Sequence, residues 1–392
     1  MDQSNVPQQY LSRVQVPALI IGALALAISI IGAVFNTDRF FQSYLFAVIF
    51  WLNVSLGCLG ILMTQYMIFG KWGLSVRRIL EAGAMVIPLM FVLFLPLLFH
   101  LPGLYKWIVT SPEPAPLLGP KSAYLNVPFF LIRAVIYFAC WITLAYFLDH
   151  WSTEQDRTGN AELTSRMSLL SRPGMIIFFL TITFAAFDWV MSLEPDWFSS
   201  IFGVLFLATE GLSGVAFAII VAAYLSRREP FSEIMTPQRF NDLGNLLLTF
   251  VMFWAYINLS QYLIIWSGNI PEEVTWYVHR SENGWEWPIR LILALQFAGP
   301  FLVLLSRRAK RSVRAMTILS AVILVTHVIE IYWRVIPAFH QEAFSLSWLD
   351  FALPIGIGGL WIAAFLWLLG RKALVPLHDP RTPQLEEAAA HG

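Results

Sequence analysis

Residues 172–228 run apolar for about 20 positions, turn through the short acidic stretch LEPDW, and run apolar for about 20 more. That length crosses the hydrocarbon of a bilayer as an α-helix, which satisfies its own backbone hydrogen bonds where no water is present. The pattern therefore predicts a transmembrane hairpin. Followed along the chain, the same alternation of apolar runs and polar breaks predicts ten spans, at 16–35, 43–69, 82–99, 128–148, 173–193, 200–225, 243–266, 287–306, 315–332 and 348–369. The first run is long enough to span and lacks a small-residue cleavage site, which predicts a retained helix and not a signal peptide. Two loops, 100–127 and 267–286, carry Trp, Pro and mixed charge and predict short helices lying in the membrane interface.

Composition agrees with this pattern. The chain is 58% hydrophobic and 13% charged, about half the charge of an ordinary soluble domain. Net charge is zero and no basic run is interleaved with aromatics, which argues against a nucleic-acid partner. Lys and Arg divide unevenly between the two sides of the ten spans. One side holds Arg13, Lys71, Arg77, Arg78, Arg157, Arg166, Arg172, Arg227, Arg228, Arg239, Arg307, Arg308, Lys310, Arg311, Arg314, Arg371, Lys372 and Arg381. The other holds Arg39, Lys106, Lys121, Arg280 and Arg334. The positive-inside rule then places both termini in the cytoplasm of a bacterial inner membrane. Cys58 and Cys140 fall in apolar runs. No CxxCH, cysteine cluster, Walker loop or GxGxxG is present, so no metal site and no cofactor is expected on this chain.

An internal repeat is visible. FQSYLFAVIFWLNVSLG, from Phe41, aligns without gaps on FSSIFGVLFLATEGLSG, from Phe198, setting Asn53 against Glu210. The fourth and eighth spans both open on Pro followed by Arg (Pro128, Arg133; Pro288, Arg290). The fold class expected is all-α and polytopic, with two four-helix bundles (1–150 and 151–314), two additional helices (315–370) and a cytoplasmic tail (371–392).

Polar residues inside the spans carry the candidate chemistry. A carboxylate at bilayer depth costs at least about 2.5 kcal/mol unless it is neutralised, paired or wetted. Glu210 lies about 15 Å below the outer end of its span, near the midplane, beside Thr209, Gly211, Ser213 and Gly214. In THVIEIYWRV, His327, Glu330 and Arg334 share one helical face, with Glu330 and Arg334 spaced for an ion pair. Counting along the spans puts Asp188 in the outer third, Glu330 nearer the outside than His327, and Arg133 and Arg290 at shallow depth. These positions predict a proton path through Glu210, His327, Asp188 and Glu330, with Arg133, Arg290 and Arg334 as ion-pair partners and Asn258, Gln261 and Gln296 as relays. The plainer alternatives are a carboxylic acid kept for packing at Glu210, a structural ion pair at Glu330, and amides that join helices. Ligation of a b-type haem by His100 and His327 is disfavoured, because only His327 lies deep. On the inner side, Glu81, Asp149 and Asp242 lie near the surface, each as readily a solvated cap as a point of proton uptake.

FAAFDWVMSLEPDWFSSIFG, AYINLSQYLIIWSGNIPEEVTWYV, WPIRLILALQFAGPFLVLLSRRAKR, HVIEIYWRVIP and DFALPIGIGGLWIAAFLWLL, in that order over residues 173–370, resemble the ActF subunit of alternative complex III, a membrane subunit of the NrfD and polysulfide-reductase type. The first four spans share the resemblance mainly in hydropathy. The resemblance implies two four-helix bundles and membership in a quinol:electron-acceptor oxidoreductase. Its implied partners are multihaem and monohaem cytochromes c, an iron–sulfur protein and an ActC-like membrane subunit, so that c-type haem and iron–sulfur clusters sit on partners. It also implies a quinone-facing surface. Two other functions remain open on the residues alone: a secondary proton-coupled transporter, and a purely structural anchor of a redox complex.

Overall fold

The computed structural model describes residues 8–108, 119–227, 231–376 and 378–381. Arg228, the side chain of Lys71, residues 109–118 of the expected outer loop, and residues 377 and 382–392 of the expected tail lie outside them. The protein is 83% helical, with no strand among the described residues. Ten helices there are long and apolar enough to cross a membrane: α1 (Tyr10–Phe35), α2 (Thr37–Ile68), α3 (Trp72–Leu104), α4 (Val127–Thr158), α5 (Glu162–Leu193), α6 (Phe202–Leu225), α7 (Pro237–Gly268), α8 (Glu286–Leu305), α9 (Val313–Ala338) and α10 (Leu349–Leu369). The start of α1 and the end of α10 lie on one side of the ten helices, called here the terminal side.

Local chemistry sets where several helices begin. The side chains of Asn36, Asn126, Thr236 and Ser312 accept hydrogen bonds from backbone N–H groups three residues on, the usual N-cap arrangement. Spans α3, α4 and α5 extend about ten residues beyond their apolar runs on the terminal side. Hydropathy ended them early because these extensions carry paired charges. Pro173, expected to open a span, lies inside α5. Helix α3 is interrupted at Met85–Val86 and tightens to 3-10 turns over Leu95–His100, near Pro88 and Pro96, neither of which has an N–H to donate. In α8 the turn widens to a π-helix over Leu293–Ala298.

The packing divides the spans differently from the expected boundaries at 150 and 314. Helices α2 to α5 pack as one four-helix group and α6 to α9 as a second, while α1 lies against α10 and this pair flanks α2. This is the division the repeat itself requires, since aligning α2 on α6 pairs α2–α5 with α6–α9. The expected interface helix in LPGLYKWIV is one turn at Leu101–Leu104, after which Tyr105 and Trp107 fold inward onto Phe130. The second expected one forms, at Pro271–His279, with Trp276 buried against Trp197.

Helices α2 and α6 are the centre. In each, 89% of the most apolar window is buried, against 17% in α1. They run in the same direction and touch backbone to backbone at Gly57 and Gly214, the positions the repeat superimposes. A Cβ added to Gly57 would stand 2.1 Å from the Glu210 carbonyl oxygen, and one added to Gly214 would stand 2.5 Å from the Gly57 carbonyl carbon. Where apolar surface gains nothing by leaving lipid, such close approach is what lets two helices associate. Gly57→Ala is expected to destabilise the protein by about 1–3 kcal/mol, as overpacking does. Gly268→Ala, where an added Cβ meets nothing within 4 Å, is expected to be neutral. Thermal unfolding of both variants in detergent checks the contrast.

Candidate functional site

Among the described residues, the acids buried within the spans are Glu81, Asp188, Glu210, Glu330 and Asp350. Four of them are clasped by arginine. Asp188, at the far end of α5 from the termini, receives two hydrogen bonds from Arg133, at 2.7 and 2.8 Å, and one from the Tyr137 hydroxyl at 2.7 Å. The Arg133 guanidinium lies over the rings of Tyr124 and Phe129. Glu330 accepts from Arg334 at 2.5 Å, from the Trp254 indole at 2.8 Å and from the Gln296 amide at 2.6 Å, with the Thr209 hydroxyl 3.2 Å away. The π turn in α8 presents Gln296 there. Asp350 is held by Arg39 and by the Ser43 hydroxyl.

The fourth clasped acid belongs to a network that the sequence did not reveal. On the terminal side Glu81 is bonded by Arg77 at 2.9 Å, Arg78 at 2.7 Å, the Ser152 hydroxyl at 2.5 Å and the Tyr66 hydroxyl at 3.2 Å. Arg78 also pairs with Asp156, and Lys372 with Asp149. The chain beyond α10 folds back so that Asp379 reaches Arg77 at 2.8 Å. Burial pushes the Asp379 carboxyl up, but its hydrogen bonds to Arg381, with Arg77 adding to them, outweigh that and hold it below the usual carboxylate range. The missed signal was local: Arg77 and Arg78 stand four and three residues before Glu81, both spacings that meet on a helix. Asp242, a candidate for uptake in the sequence, lies 3.7 Å from Arg239 and takes no part.

Glu210 is the exception. It is 2% exposed, its Oε2 has no hydrogen-bond partner, and among the described residues no cation forms an ion pair with it. It lies between two cavities. One, of about 10 Å³, is lined by Asn53, Trp141, Ala186, Trp189 and Phe206 as well as Glu210. That is the size of a single water site, and the Asn53 amide nitrogen on its wall is also unpartnered. The other, of about 80 Å³, is a groove in which Gly57, Gly60, Thr64 and Gly211 adjoin Glu210 beneath Phe178, Phe179, Phe250 and Phe253.

The predicted path is thus only partly assembled. Glu330 meets Thr209, the residue before Glu210 on α6, and not Glu210 itself. His327 stands 3.6 Å from Glu330 with both ring nitrogens free of hydrogen bonds, tilted against Phe50. Arg290 is exposed, its guanidinium over Trp287, and pairs with no acid among the described residues. The Gln261 amide takes a hydrogen bond from Ser199, and Asn258 bonds its own helix at Trp254, so only Gln296 of the three expected relays touches a candidate acid. His100 meets Asp38 on the surface, far from His327. No group of three His, Cys, Asp or Glu that would hold a metal ion occurs among the described residues.

Removing Arg334 alone leaves Glu330 buried without its cation and is expected to cost about 3–5 kcal/mol. Arg334→Met combined with Glu330→Gln should recover most of that loss, as seen in thermal unfolding in detergent. A double variant no more stable than the single would show that the cluster matters for more than charge balance. No protein-family model and no curated protein matches the chain.

Proposed function

We propose that this chain is an integral membrane subunit of a quinol-oxidising complex of the alternative complex III type, and that its own contribution is proton transfer through Glu210. The observation that supports it is the contrast among the buried acids. Glu81, Asp188, Glu330 and Asp350 each face an arginine, whereas Glu210, on the central helix pair, faces two cavities. A charge there would have no counterion, so the resting group is the uncharged acid. An acid that can give up and regain a proton without breaking an ion pair is suited to a relay; one held by three donors is not. Asp188 and Glu330 act in this reading as fixed charges, which is the structural-anchor alternative applied to those two residues.

The positive side of the chain is taken as cytoplasmic, and the bias keeps its sign when the buried cations on both sides are set aside. Protons then arrive at the Glu81 network. From there α2 offers Tyr66, bonded to Glu81; Gln65, whose amide atoms are both unpartnered; and Thr64, on the wall of the Glu210 groove. Water in the small cavity would join Glu210 to Asn53. The groove, apolar and ringed by phenylalanines, is also where a quinone ring would lie if this chain meets one. The resemblance over residues 173–370 supplies the redox partners; this chain supplies no electron carrier in the reading.

The test is Glu210→Gln in the native assembly. Co-purification with c-type haem and several other chains supports the complex; a protein isolated alone and colourless favours the transporter alternative. In the assembled variant, quinol oxidation is expected to continue while protons released per electron fall. An unchanged proton yield would make Glu210 a packing residue.

A further inference from the structure

On the terminal side a cavity of about 350 Å³ opens between α3, α4 and the end of α10. Its walls are of two kinds. Met85 and Leu368 continue the apolar surface of the spans, and Tyr146, 50% exposed, stands on the wall beside them. Its polar part holds Arg78, Arg371 and Lys372 against one carboxylate, Asp149. Lys372 is already paired with Asp149, and Arg78 is held from behind by Glu81 and Asp156. One cation is left over. The Nε of Arg78 has no hydrogen-bond partner, but it is sealed from solvent on a side chain only 2% exposed and offers nothing to the cavity. Arg371 lies 4.5 Å over the Trp367 ring with no carboxylate within ion-pair distance among the described residues.

We propose that this cavity binds the phosphate group of an anionic glycerophospholipid, with the Arg371 guanidinium as its donor and an acyl chain lying along Met85 and Leu368. The cations supply the anion preference; arginine suits phosphate because its planar fork presents several N–H groups at once. The apolar wall supplies the lipid preference. A cavity part apolar and part cationic, at the ends of membrane-spanning helices with a Tyr on its wall, matches an amphiphile at the headgroup level. The same donor would take a free phosphate ester, which has no use for the apolar wall. Occupancy would also tie α3, α4 and α10 together beside the Glu81 network, although the proposal does not depend on proton transfer there.

The experiment is native mass spectrometry of the full chain, in its complex where that assembles, with dioleoyl phosphatidylglycerol or dioleoyl phosphatidylcholine added, comparing the wild type with Arg371→Gln. Arg371 is exposed, so the variant should fold. Phosphatidylglycerol is expected to bind more tightly than phosphatidylcholine, and the substitution is expected to weaken phosphatidylglycerol about fivefold, the contribution of one basic residue at an anionic surface. Equal affinity for the two lipids, or no change in Arg371→Gln, overturns the proposal. Displacement of the lipid by glycerol 3-phosphate at equal concentration would assign the site to a soluble phosphate ester and overturn the lipid.

Discussion

The contact between Gly57 and Gly214 is the constraint on which the rest of the molecule depends. It brings two parallel helices together along their backbones and so joins two four-helix groups into one body. Everything polar at mid-depth is arranged around it. Asn53 and Glu210 lie one turn from the crossing on equivalent faces and line the same cavity, and the Glu210 carbonyl touches Gly57 itself. A larger residue at either glycine would part α2 from α6 and open that cavity. The outer pair of helices uses the same device, since a Cβ added to Gly22 would stand 2.8 Å from Gly359 Cα, but there it fastens a flank and not the centre.

Charge is the second organising principle. In hydrocarbon an unpaired ion is costly, and a pair with several additional hydrogen bonds is tolerable. The protein spends its arginines accordingly. Arg133, Arg334 and Arg39 each close one acid into a cage on the side away from the termini, and Arg77 with Arg78 closes Glu81 on the terminal side. Such cages join helices distant in sequence: Arg39 reaches Asp350, bringing the end of the chain onto its beginning, and Trp254, Gln296, Glu330 and Thr209 tie four helices of the second group together. These clusters hold the bundles as much as they mark them.

Much of this was legible in the residues, for a physical reason. A slab of hydrocarbon about 30 Å thick imposes a length on every apolar run, so the ten spans followed from counting. The repeat aligned the two helices that prove central, because the close approach of α2 and α6 demands glycine at equivalent places, but it did not say that the two pack together. The domain boundaries failed because hydropathy does not say which helix lies beside which, and α1 to α10 is a contact across nearly the whole chain. Azimuth was not legible in the spacing: Glu330 reaches Thr209 and not its neighbour Glu210, and Arg290 turns outward although it opens its span as Arg133 does. The Glu81 network stayed hidden for a different reason. Its members sit in helical extensions that hydropathy assigned to loops, where paired charges look like solvated ones.

Asn53 and Glu210 show what the repeat leaves unequal. Two equivalent positions on a near-symmetric helix pair would most simply hold the same side chain, and an amide at both would satisfy the small cavity without any charge cost. The second copy instead carries a carboxyl on a side chain one methylene longer, and that group, unlike an amide, can lose a proton. An Asn can only donate and accept hydrogen bonds across the crossing, whereas an acid there can change charge. Stability alone gives no reason for that choice, because an unpaired acid is the more expensive group in an apolar core. The glycines are kept in both copies where the helices must touch, and the ionisable group is placed in one copy only, at the level where the two bundles meet.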